Sequence, residues 1–434
     1  MRIGYRARPM SRRNLSSTAA IAVLSVIFFT WGALTCLNDV LIPHLKAVFA
    51  MNYAQTMLIQ FTFFGTYFVM SIPSGKVVAQ VGYKAGIVIG LLVAGLGAFL
   101  FYPAAGVPSY LMFLLALFVL ASGITLLQVA ANPYISLLGD PRSASSRLTL
   151  AQALNSLGTT LAPALIGPMI LSVAVLGGSE LARLSPAGQE AYRIAQAHSV
   201  QHPYLAIAVA LIALASVVQL LHLPPHSEAT EASDPHRHSF GEVLRHRHVR
   251  LGALAIFVYV GAEVAIGSFL INYISDPRIG NIAPAIATRY VALYWGGAMV
   301  GRFVGSALLR RIDPRLLLCV FALAAGVLLA TTIASSGPLA MWSIIAIGLF
   351  NSIMFPTIFT LGIENLGPMT SKASSLLVMA IVGGALIPTL QGVVADRIGI
   401  QPAFLLPVAC YVYIAWYALR GSRQRAPGAD VAPA

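Results

Sequence analysis

The feature that most constrains this chain is a succession of apolar blocks about 20 residues long, the length a helix needs to cross the hydrocarbon of a bilayer. One of them, LMFLLALFVLASGITLL (Leu111 to Leu127), has no charged residue. In lipid every backbone polar group must find its partner inside the structure, so only helices and closed barrels span a membrane. Barrel strands show short segments of alternating polarity. These blocks do not alternate, and the chain reads as an all-α membrane protein. Only 9% of its 434 residues are charged, against about 25% in a soluble domain.

Twelve spans are expected, at roughly 20–45, 55–79, 86–104, 110–138, 146–176, 203–222, 250–275, 286–309, 315–335, 339–364, 371–394 and 402–420. The formal charge of +13 invites an anionic partner, yet the basic residues gather at span ends. Alternate loops hold Lys76 and Lys84, Arg142 and Arg147, Arg245 to Arg250, Arg310 to Arg315, and Lys372, while the opposite loops hold fewer. That asymmetry records topology and puts both termini in the cytoplasm. No soluble basic face is present, so nucleic acid is not an expected partner. The domain plan is, roughly, a cytoplasmic tail 1–19, a first six-helix half 20–222, a cytoplasmic linker 223–249, a second six-helix half 250–420 and a cytoplasmic tail 421–434. Ser11-Arg12-Arg13 before the first run has the look of a twin-arginine export signal, but the run is long and eleven spans follow it. It reads as an uncleaved first helix.

Three cysteines, Cys36, Cys319 and Cys410, lie far apart in apolar stretches and form neither a disulfide framework nor a metal set. The linker carries two H-x-H pairs, His236/His238 and His246/His248, without suitably spaced Cys or acidic partners. No metal is expected there.

The halves look duplicated. GALTCLNDVLI (Gly32–Ile42) aligns without a gap to GAEVAIGSFLI (Gly261–Ile271), and NPYISLLG matches the Pro–Gly spacing of FPTIFTLG. Repeats of this kind place a transport site between them, near the bilayer midplane.

Charge within a span costs about 2.5–3.5 kcal/mol on insertion scales and belongs in a cavity or beside a partner. Asp39 in the first span and Glu263 in the seventh are the two deepest acids. A carboxylate in hydrocarbon is easier to hold as the neutral acid, so both are candidates for coupling proton movement to transport. Uncharged polar residues form a second set. Gln128 and Asn132 stand four apart in the fourth span, Gln152 and Asn155 three apart in the fifth, with Gln60 in the second and Asn351 in the tenth. Carboxamides both donate and accept, which suits a neutral ligand rich in hydroxyls. Interhelical hydrogen bonding is their other common use in membranes. Phe63, Tyr67, Tyr259, Trp295 and Phe355 are candidate aromatic contacts for the apolar face of a sugar. Arg302 and Glu364, near span ends, are candidates for gating or topology. No nucleophile–base pair, zinc triad or phosphate loop is visible, so neither enzyme chemistry nor a cofactor is expected. Gly90–Ala98, GLLVAGLGA, reads as close helix packing.

CLNDVLIPHLKAVF, LQVAANPY, LAQALNSLGT and PTIFTLGIENLG carry a resemblance that runs over nearly the whole chain. They resemble the major facilitator superfamily and, within it, the fucose–galactose–glucose:proton symporters. The loop GKVVAQVGYK keeps Gly75 and Lys84 of the general superfamily motif but lacks its Asp-Arg. The resemblance implies two pseudo-symmetric six-helix halves that rock around a central sugar site. It implies Asp39 as the protonation site, with Asn38, Gln152 and Asn155 lining the cavity. Fucose carriers have Glu at the position of Gln128 and Gln at that of Glu263, so the arrangement here resembles the glucose/galactose branch. The expected function is proton-coupled hexose import by a monomer in the bacterial inner membrane, with sodium open as the coupling ion. A fucose-type symporter, a sodium-coupled sugar carrier and a proton-driven exporter are the alternatives. A non-transporting sensor is remoter, since it calls for a sizeable signalling domain.

Overall fold

The computed structural model describes residues 15–49, 53–106, 109–166, 183–224 and 238–424, with backbone alone at 37–49, 53–57, 60, 164, 284 and 285. The longer helices are α1 (Ser17–Phe49), α2 (Tyr53–Gly106), α3 (Tyr110–Leu137), α4 (Ala144–Leu165), α5 (Pro186–Ser199) and α6 (Gln201–Leu220). They are followed by α7 (Arg247–Ser275), α8 (Pro284–Leu308), α9 (Pro314–Ala334), α10 (Gly337–Asn351) and α11 (Met354–Gly362). The last three are α12 (Thr370–Met379), α13 (Gly383–Ile398) and α14 (Leu405–Trp416).

Nine stretches of the described residues are long and apolar enough to cross a membrane on composition alone. One of them, Phe61–Gly106, is a hairpin of two spans. The turn is at Gly82, whose φ of 81° lies where only glycine is unstrained. Gly86 packs against Val78, eight residues back, which a continuous helix would hold about 12 Å away. The two spans missing from the nine are α4 and α8, which carry Gln152, Asn155 and Arg302. With them the bundle reaches twelve. The tenth span is α10 plus α11 and the eleventh is α12 plus α13. Polar content hides α4 and α8 from a hydropathy criterion for the same reason that it makes them interesting.

The repeat is visible in the packing. A Cβ on Gly32 would collide with the Asn155 backbone, and one on Gly158 with the Phe29 carbonyl, so α1 and α4 cross at glycine distance. Gly261, aligned with Gly32, packs against Ile387, and a Cβ on Gly383 would strike the Phe257 carbonyl. The seventh and eleventh spans thus repeat the crossing of the first and fifth. Small residues let helix backbones approach this closely in membranes.

One element was not expected. α5 lies in what reads as a loop, capped by Ser185, whose Oγ accepts the Gly188 N–H at 3.1 Å. It rests on α1 and α2 and, at 14 residues, is too short to cross a bilayer by itself.

Candidate functional site

The halves meet through polar contacts at one end of the bundle. Ser145 Oγ and Thr360 Oγ1 are 2.6 Å apart. Ser146 Oγ donates to the Ser306 carbonyl at 2.7 Å, and Ser306 Oγ donates back to the Ser146 carbonyl at 3.0 Å. Ser374 Oγ donates to the Val129 carbonyl at 2.9 Å. This end also holds the first and last described residues, since Leu15 N–H bonds the His222 carbonyl and Gln424 bonds the Glu364 carbonyl.

Beyond this seam lies a cavity of about 170 Å³ lined from both halves. That is below the roughly 300 Å³ at which pockets for drug-sized ligands begin, and suits a small solute. The first half contributes Gln128, Gln152 and Asn155, and the second contributes Glu263 and Arg302. Phe63, Tyr67, Tyr259 and Phe355 add aromatic surface. Gln128 Nε2 donates to the Tyr67 hydroxyl at 2.9 Å. Asn155 Nδ2 donates to the Phe28 carbonyl at 2.9 Å, which ties α4 to α1 and orients the amide.

Glu263 and Arg302 are the charged pair of this wall. Arg302 Nη2 stands 4.0 Å from Glu263 Oε1, with the side chains 14% and 11% exposed. Arg302 also reaches across the halves: its Nη1 donates to Ser156 Oγ, and its Nε donates to the Ser352 carbonyl at 3.3 Å on its own side. Glu263 Oε1 has no hydrogen-bond donor among the described residues. A buried acceptor without a donor asks for a ligand or water.

Other candidates fall elsewhere. Asn132 lies one turn beyond Gln128 towards the sealed end, outside the cavity, and both of its amide atoms lack partners among the described residues. Asn351 is fully buried behind the wall, both ends of its amide occupied. Trp295 is 42% exposed and packs on Tyr294 and Gly267, away from the cavity. Glu364 pairs with Arg315 at the sealed end. Arg302, expected near a surface, is instead part of the cavity wall, held there by Glu263 and the opposite half. The side chains of Asn38, Asp39 and Gln60 lie outside those described. Trp31, Thr35, Phe64, Val260 and Ile381 also line the cavity, and sequence reasoning did not single them out. The signal for two of them was available: Trp31 and Thr35 precede position 39 at four-residue steps, one helix face.

Residues 22–381 match the family model described as Major Facilitator Superfamily. The chain belongs to that superfamily. Within it, this facilitator is 52% identical over 404 residues to a glucose/galactose transporter of Brucella abortus, covering 93% of this chain and 94% of the relative. It is 37% identical to the L-fucose-proton symporter of Escherichia coli over 91% of both chains. Its fold superposes on the crystal structure of the facilitator FucP in the outward conformation with a TM-score of 0.86 at 35% identity, covering 95% of this chain and all of that one. These relatives place it in the fucose–galactose–glucose symporter family, as an integral membrane protein.

Proposed function

We propose that this facilitator imports hexoses, glucose and galactose first, by proton symport across the bacterial inner membrane, and works as a monomer. The observation that carries the reading is the unmatched acceptor of Glu263 facing Gln128, Gln152 and Asn155 across one small cavity. A hexose presents hydroxyl groups on all sides. Each donates to a carboxylate or amide oxygen and accepts from an amide, and Tyr67, Phe63 or Phe355 covers the C–H face. The 52% identity to a glucose/galactose transporter supports the choice of sugar.

Asp39 is the proposed proton site. It follows Trp31 and Thr35, both on the cavity wall, in helical register. Glu263 already has a cation beside it, so it is the poorer candidate for carrying the coupled proton and the better one for the sugar. With both termini in the cytoplasm, the sealed end faces the cytoplasm and the cavity belongs to an outward-facing state. Protonated Asp39 permits sugar entry. Loading then allows the seam of Ser145, Ser146, Ser306 and Thr360 to part, with Arg302 releasing Ser156 as a gate, and Glu364 with Arg315 guarding the cytoplasmic rim. An ionised Asp39 in an unloaded cavity opposes the crossing, because charge in the bilayer interior is costly.

The test is uptake of labelled glucose, galactose and fucose into proteoliposomes under an imposed proton gradient, then a sodium gradient. Accumulation of glucose and galactose with the proton gradient is expected. Accumulation only with sodium reassigns the ion, preference for fucose reassigns the branch, and no driven uptake of any sugar overturns the reading.

A further inference from the structure

The break in the tenth span organises the wall of the cavity from behind. α10 ends at Asn351 and α11 begins at Met354, leaving a two-residue turn in mid-membrane. Such irregular backbone is tolerated only where protein or a cavity satisfies its polar groups. Here the Asn351 carbonyl accepts from the Tyr259 hydroxyl at 3.0 Å and the Ser352 carbonyl accepts from Arg302 Nε at 3.3 Å. Both donors line the cavity.

The side chain of Asn351 does a different job. It is 0% exposed. Nδ2 donates to the Tyr294 hydroxyl at 2.8 Å, and Oδ1 accepts from the Tyr411 hydroxyl at 2.8 Å. Tyr294 passes its own proton to the Glu263 backbone carbonyl at 3.2 Å. Backbone and side chain of Asn351 therefore bind tyrosines from the seventh, eighth and twelfth spans to the tenth, and the chain of bonds ends at the backbone of Glu263, the one acid of the described cavity wall.

We propose that Asn351 is a positioning residue: its tyrosine hub sets the placement of Glu263 and Tyr259, and so the affinity for sugar, without touching the sugar. This rests on the transport reading. In a fully buried network each group has one arrangement that satisfies all the others. Deleting the Tyr411 hydroxyl strands Asn351 Oδ1, the amide turns to find another donor, and Tyr294 and the turn of α7 at Glu263 follow it. Tyr411 is absent from the cavity lining, so a ligand-contact explanation does not apply to it.

Tyr411→Phe is expected to raise the KM for sugar uptake about 5–20-fold, with kcat within about twofold. The control is Tyr273→Phe, which removes an equally buried hydroxyl that bonds the Thr332 carbonyl at 3.0 Å outside the hub. It shares the cost of a lost buried hydrogen bond and is expected to leave KM unchanged. Equal KM in both variants overturns the hub. A second measurement does not depend on sugar. With Cys36, Cys319 and Cys410 replaced by alanine, Phe355→Cys reports on the wall beside the break through its rate of alkylation by a small maleimide. Tyr411→Phe should change that rate at least about threefold and Tyr273→Phe should not, and equal rates again overturn the proposal. Absence of sugar uptake by the unaltered protein sinks the transport reading alone, and the alkylation rates then decide on the hub.

Discussion

The two halves carry the same polar pair in different surroundings. Gln128 stands five residues before Pro133 in the fourth span, and Asn351 five before Pro356 in the tenth. Each donates its amide to a tyrosine two spans earlier: Gln128 to Tyr67 at 2.9 Å, Asn351 to Tyr294 at 2.8 Å. The first pair lines the cavity, where a hydroxyl or water can replace either partner. The second is sealed behind the wall and closed by Tyr411. Exchange there would leave a buried group unpaired, at a cost of about 1–3 kcal/mol. The duplicated fold therefore gives one half adaptable hydrogen bonding and the other a fixed frame around a charge, Glu263.

The comparison breaks most sharply at aligned positions 39 and 268, aspartate in one half and an exposed serine in the other. Asp39→Asn removes the charge that opposes an uncoupled crossing. It should abolish uphill accumulation and preserve sugar exchange between loaded faces. Ser268→Ala should stay within about twofold of the unaltered protein in both assays. Accumulation by the Asp39→Asn variant would move the proton site elsewhere. The next largest effect is expected at Glu263→Gln, which keeps the shape and removes the charge. Hydrogen bonds to charged groups contribute about 1.5–3 kcal/mol, so sugar should bind about 10–150-fold more weakly by calorimetry. An unchanged affinity would take Glu263 off the sugar and leave its polar contacts to the other residues of the wall.

Much of this was legible in the sequence because the bilayer sets one length for every span and one alignment for every repeat. The twelve spans, the matched glycines Gly32 and Gly261, and the Pro133/Pro356 correspondence follow from pattern alone. Depth and rotation do not. Gln128 and Asn132 share a helix face, as their spacing requires, yet one turn separates the cavity from the sealed seam. Asn351 has the right residue type at the right level, but its amide is taken up by Tyr294 and Tyr411 behind the wall. Trp295 follows Tyr294 by one residue, about 100° around the helix, and is carried away from the cavity. Arg302 reads as a residue near a span end, and partners more than a hundred residues away, Ser156 and the Gln152 carbonyl, hold it across the halves. α5 escaped because the signals sought were those of membrane spans.

Arg302 provides a smaller test of the division between halves. Its planar fork bonds both sides of the bundle at once, which a lysine ammonium cannot reproduce. Arg302→Lys keeps the charge beside Glu263 and loosens the hold on Ser156. The equilibrium should move towards opening at the end that bears the termini. Alkylation of Thr149→Cys, placed one turn above the Ser145–Thr360 contact, should accelerate about 3–10-fold. An unchanged rate would confine Arg302 to charge balance within its own half.

The smallest effect is expected where the comparison began. Tyr67→Phe deletes the acceptor that Gln128 Nε2 uses, but that amide stands on the cavity wall. Water or the sugar itself can accept the freed proton at nearly the same enthalpy. KM should change by less than about threefold, well under the change expected from Tyr411→Phe in the locked counterpart. The ranking is the informative quantity, since both substitutions remove one tyrosine hydroxyl from a carboxamide pair. If Tyr67→Phe proves the costlier of the two, the first-half pair is the rigid frame and the second-half pair the adaptable one, and the assignment of roles to the halves reverses.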